Sequence, residues 1–104
     1  MSWKYILVDK KVVPCDDVLK WAKWMEDENK ENNRCVAFTQ INKHITISTA
    51  FLGLDFNMGV SSVPSLFESL VFEDGLGSGE MVRYSTYEEA EKGHKRLVKK
   101  YKNE

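Results

Sequence analysis

The sequence predicts an α+β fold: a mainly antiparallel sheet of about five to six strands with two helices packed on one face. Three observations lead there. The order of patterns along the chain is hairpin, helix, antiparallel strands, helix. At 104 residues the chain suits one domain, 1–104, and is too short for two independent cores. Hydrophobic residues make up 42%, with three Trp, four Tyr and five Phe, which a disordered chain has no means of burying.

Each element has its own signal. Residues 4–8 and 11–13 flank Asp9-Lys10 and read as a short hairpin, ended by Pro14, which cannot donate to a ladder. Asp16 and Asp17 supply the acceptors and negative charge of a helix start. The first helix is expected over 16–31, with Val18, Trp21, Ala22 and Met25 on its apolar face and Asn32-Asn33 as the stop.

Two strands, 34–41 and 44–54, surround the two-residue loop Asn42-Lys43. Pairing about that loop puts Val36, Phe38, Ile45, Ile47 and Phe51 on the core face. Cys35, Ala37, Thr39, Thr46, Ser48 and Ala50 then form a flat face of small residues. Residues 55–64 read as a loop, 65–72 as a strand, 73–79 as a glycine-rich connection and 80–85 as the return strand. The last helix opens at Ser85 or Thr86, each with a Glu three residues on, and runs to about Lys102.

Composition narrows the function classes. A net charge of −1 provides no overall attraction to nucleic acid or an anionic membrane. The amino-terminal stretch lacks the apolar core of a secretory signal, and no apolar run reaches the ~20 residues of a membrane span. A cytoplasmic protein with two free thiols, Cys15 and Cys35, is expected. Two histidines and two scattered cysteines lack metal-ligand spacing, so neither a metal nor another cofactor is expected.

Chemistry concentrates around His94. Tyr87, Ala90, His94, Leu97 and Tyr101 recur at spacings of three and four, placing an imidazole in the apolar stripe of the last helix. Desolvation there favours the neutral ring, which suits a ligand contact or proton transfer; the more ordinary outcome is a core histidine hydrogen-bonded to a strand carbonyl or carboxylate. Gly93 beside it costs about 1 kcal/mol of helix propensity, a sign of close backbone approach. Glu68 lies between Leu66 and Leu70 on one strand face. A symmetric hairpin sets it opposite Tyr84, with Arg83 on the other face, so Glu68, Tyr84 and His94 form the expected ligand pocket; the alternative is an edge-strand glutamate facing water. Trp24 and Arg83 are the candidate partner contacts. Cys15 reads as a packed thiol at a helix start, and His44 as a solvated hairpin-tip residue. Lys92, Lys95, Arg96, Lys99, Lys100 and Lys102 make one face of the last helix basic, which the helix dipole also favours.

Several segments together resemble a family of small proteins of tailed bacteriophages and prophages that has no established activity. They are Tyr5-Ile-Leu-Val8, Val13-Pro14-Cys15, Ile47-Ser-Thr-Ala-Phe-Leu-Gly-Leu-Asp55, Leu66-Phe-Glu-Ser-Leu-Val-Phe72, Arg83-Tyr-Ser-Thr-Tyr-Glu-Glu-Ala90 and Gly93-His94. The family pattern follows its Leu-Asp pair with a histidine and closes the loop with Phe-Gly. Phe56 and Met58-Gly59 stand there instead, so no role of that histidine carries over.

The resemblance implies a phage-type accessory protein. The expected mode is binding of a host protein or small host metabolite, as a counter-defence or host-takeover factor. Two alternatives stand beside it: a small hydrolase or transferase with His94 and Glu68 as acid and base, and a nucleic-acid binder using the lysine face. The bare small-residue sheet face also makes a homodimer expected.

Overall fold

Local turn and cap chemistry sets the element boundaries. The computed structural model describes residues 3–56, 63–76 and 79–103. The first hairpin pairs β1 (Tyr5–Val8) with β2 (Lys11–Pro14) through Asp9 and Lys10, both at positive φ (50° and 68°), the tight hairpin turn whose twist matches the strands. Helix α1 (Val18–Lys30) starts at Asp17, whose carboxylate accepts from the Lys20 amide at 3.1 Å. It ends where Asn32 turns left-handed (φ 59°). Asn32 N–H then donates to Asn29 O and Asn33 N–H to Glu28 O, closing the carbonyls of the last turn.

The remaining strands are β3 (Cys35–Gln40), β4 (Ile45–Phe51), β5 (Phe67–Glu73) and β6 (Met81–Tyr84), followed by α2 (Tyr87–Lys102). They form one four-stranded antiparallel sheet in the order β3-β4-β5-β6, and β1-β2 is a separate two-stranded sheet. The fold is therefore α+β, with its six strands divided between two sheets. Thr86 caps α2, accepting from the Glu89 amide at 3.1 Å, the capping-box spacing read from the sequence.

Two registers differ from expectation by one residue. The β3–β4 loop holds three residues, 42–44, because Asn42 Oδ1 accepts from the amides of both His44 and Ile45 and folds the turn around itself. Thr39 consequently lies opposite Ile47 and Ala37 opposite Thr49, whereas Phe38 pairs with Ser48 on the other face and is 64% exposed. A bulge between Cys35 and Ala37 returns Cys35 to the outer face, opposite Ala50. The β5–β6 hairpin turns tightly at Asp74-Gly75, both at positive φ, and its ladder sets Glu68 opposite Arg83 and Phe67 opposite Tyr84.

Helix α2 crosses all four strands of the larger sheet. Ala90, Gly93, His94 and Leu97 are its buried residues, packed over Ile47, Phe51, Phe67 and Val71. Each large side chain so buried contributes about 1.5–3 kcal/mol. In contrast α1 has no fully buried residue, and its main contacts are with β1. Its inward face is Trp21, Trp24, Met25 and Glu28, rotated from the one predicted, so Val18 is 58% exposed and Ala22 also faces out. No helix among the described residues is long and apolar enough to cross a membrane.

Candidate functional site

His94 is 4% exposed and lies where α2 meets the sheet. Gly93 brings the helix close enough for this, since a Cβ there would overlap the Tyr84 ring and hydroxyl. The backbone approach inferred from Gly93 is that of Tyr84 to α2. An imidazole in this position requires partners for both ring nitrogens. Thr39 Oγ1 lies 2.9 Å from Nε2 and Thr49 Oγ1 lies 2.7 Å from Nδ1. Thr49 is also hydrogen-bonded to Ser69, and Tyr84 OH donates to Ser69 Oγ at 3.1 Å.

These five residues form one chain across β6, β5, β4, α2 and β3. Its direction follows from Tyr84. With Tyr84 donating to Ser69, Ser69 gives its proton to Thr49, Thr49 to Nδ1, and Nε2–H donates to Thr39. Ser69 and Thr49 then each donate once and accept once, Tyr84 only donates, Thr39 only accepts, and the ring is neutral. Thr39 Oγ–H is the free end. Burial is what lowers the His94 pKa, in keeping with that neutral form.

Thr39 and His94 form part of an open groove of about 550 Å³ whose other lining includes Lys95, Val98, Lys99 and Lys102. Two other lysines of α2 are engaged: Lys92 pairs with Glu88 at 3.0 Å and Lys100 with Glu80 at 2.6 Å. Glu80 also accepts from Tyr101 OH at 3.2 Å, and these contacts, Lys100 first, hold its carboxyl below the usual range. Lys95, Lys99 and Lys102 have no ion-pair partner among the described residues. The groove thus combines three unneutralised ammonium groups with a hydroxyl donor at its floor.

The expected pocket is half assembled. His94 and Tyr84 belong to one hydrogen-bonded chain, but Ser69 occupies the place given to Glu68. The one-residue register difference turns Glu68 to the opposite face, where its carboxylate accepts from Arg83 Nε at 3.1 Å. An acid–base pair of Glu68 with His94 is therefore not formed. Arg83 also stacks over Phe56, 4.6 Å from the ring centre. Trp24 stands edge-on to Phe51 at 5.7 Å and is half-buried, so its indole packs against the core. The predicted small-residue face loses Ala37 and Thr39 to the covered side and gains Phe38, for the same reason of register.

Thr39, Thr49 and Ser69 are not among the partners expected for His94 and Tyr84, and Thr39 is expected on the small-residue face. A signal for two of them exists: Thr49 sits between Ile47 and Phe51, and Ser69 between Phe67 and Val71, at alternate positions on one apolar face. Hydroxyls there need a polar partner, and the histidine in the apolar stripe of α2 provides one.

Other candidates have structural partners. His44 Nδ1 lies 2.6 Å from Asp74 Oδ1, and the Asp74 amide donates to His44 O, joining the tips of two hairpins. Cys15 is buried and Cys35 half-buried, both free thiols. Among the described residues no three of His, Cys, Asp and Glu group as metal ligands. Met58 and Gly59 of the 55–64 loop, and residues 77–78 of the glycine-rich connection, lie outside the described residues. No protein-family profile, curated protein or solved structure matches the chain.

Proposed function

We propose that the protein acts by binding, and that its ligand is a small phosphate-bearing molecule seated in the groove over Thr39 and His94. In the setting implied by the resemblance to phage proteins, the ligand is a host metabolite that is held, not converted. The observation carrying this reading is the trio Lys95, Lys99 and Lys102, unpaired around a floor that offers the Thr39 hydroxyl. Lysines present mobile point charges suited to a phosphate, and a fixed hydroxyl donor orients it. Binding is favoured over catalysis because both nitrogens of His94 are engaged by threonines, leaving none to exchange a proton with a substrate.

Calorimetry and thermal unfolding with inorganic phosphate, pyrophosphate and adenosine monophosphate at low salt test the reading. One of them is expected to saturate one site and raise Tm by roughly 10–20 °C at about a hundred times Kd. Charge reversal at Lys99 and Lys102 together is expected to weaken binding by about tenfold or more, with no turnover detected in the parent. An unmoved Tm with all three compounds overturns the proposal, as does equal affinity in the reversed variant. Binding of a DNA or RNA oligonucleotide instead, with affinity falling steeply as salt rises, transfers the lysine face to nucleic acid.

A further inference from the structure

A second cavity lies on the other side of the sheet, where the end of α1 meets the start of β3. It encloses about 470 Å³, and its lining includes Asn29, Asn32, Arg34, Cys35, Phe38 and Ser48. Arg34 is the charged group. Its Nη1 donates to the Phe51 carbonyl at 3.3 Å and its Nη2 to Asn29 Oδ1 at 3.1 Å, both neutral acceptors. The Nε is buried and has no partner. Glu31, three residues earlier, accepts from Asn33 Nδ2 at 2.9 Å, and among the described residues no carboxylate pairs with Arg34.

A guanidinium stays charged at any physiological pH, and a half-buried one without a counter-ion costs free energy until an anion reaches it. Polar and apolar side chains both line the cavity beside it. Asn29, Asn32 and Ser48 add hydrogen-bonding groups to its wall, Asn29 bonded to the guanidinium and Ser48 opposite Phe38 in the ladder, and the Phe38 ring is 64% exposed. That exposure follows from the three-residue β3–β4 loop, which turned Phe38 away from the core. Such a pairing suits a planar carboxylate, with the charged group on the guanidinium fork and the flat body against the phenyl ring.

We infer that this cavity binds a small carboxylate with a flat apolar body, with Arg34 holding the carboxylate and Phe38 the body. The site is independent of the lysine groove, because Cys35, Phe38 and Ser48 face away from the side of the sheet that holds Thr39 and His94.

The test is a nitrogen-15 NMR titration of the intact chain with sodium benzoate, observing backbone amides and the arginine Nε–Hε signals. Saturable shifts are expected at Arg34 Nε–Hε and at the amides of Cys35 and Ser48. Benzamide, which has the ring without the charge, and acetate, which has the charge without the ring, are each expected to bind at least about tenfold more weakly. Arg34→Met, which retains the aliphatic stem, and Phe38→Ala, a change at an exposed side chain, are each expected to weaken benzoate by about tenfold. If Arg34→Met fails to fold, Phe38→Ala decides alone. Shifts confined to Lys95 and Lys99 overturn the inference, as does benzoate affinity unchanged in whichever variant folds. Non-saturating shifts scattered over the surface overturn it equally.

Discussion

On the side of the four-stranded sheet beneath α2, Ile47, Thr49, Phe51, Phe67, Ser69 and Val71 are all buried. On the other side, no residue from Cys35, Phe38 and Gln40 across to Met81 and Arg83 is buried. The same strands build both faces, yet they obey different economies. The covered face tolerates hydroxyls and an imidazole only because each finds a partner within the layer. The open face leaves an ion pair, a phenyl ring and a cavity within reach of solvent. Stability therefore resides on one side, and the features free to meet a ligand lie on the other or at the helix edge.

The largest expected effect comes from truncating matched aromatics on the two faces. Phe51→Ala is expected to cost about 3–5 kcal/mol in urea unfolding, because it vacates the contacts of Trp24 and Phe67. Phe38→Ala is expected to stay within about 0.5 kcal/mol. Comparable losses at both sites break the contrast.

Gly93→Ala comes next. Its methyl group would strike the Tyr84 ring, and overpacking of this kind costs about 1–3 kcal/mol. Combining it with Tyr84→Ala is expected to cost clearly less than the sum of the two, as residues in contact do. Strict additivity of the unfolding free energies would sink the claim that Tyr84 demands this glycine.

The smallest effect is a slope with pH. Burial holds the folded His94 pKa below its ordinary 6.5, so between those values the unfolded chain binds more protons. Its contribution is fully present above about pH 6.5 and is lost as the pH falls through the lowered folded value. Urea titrations from about pH 7.5 to about pH 5 are expected to show a shallower decline in His94→Gln than in the parent. An identical decline refutes the buried neutral ring.

The comparison of faces also separates what was legible in the sequence from what was not. Both capping signals were local: Asp17 and Thr86 stand within three residues of the amides they satisfy. The placement of His94 in an apolar stripe needed only the helical repeat. The partners of His94 needed more, because Thr39, Thr49 and Ser69 reach it only through the pairing of three strands with each other and with α2. Glu68 and Ser69 are adjacent in the chain, yet one faces Arg83 and the other Tyr84. The face of α1 was harder to read, because a helix that buries no residue completely constrains its own rotation weakly.

By itself the sequence determined the elements, their order, their caps and the histidine that belongs to the core, since each depends on residues a turn or less apart. The tertiary structure alone decided which strand residues face α2. Side chains alternate along a strand, so one extra residue in the turn at Asn42 reverses a whole row. That reversal brought Thr39 under His94 and left Phe38 in the wall of the cavity that Arg34 also lines. Turn closure and the burial of one face select the register together, and neither is a property of any short stretch of chain.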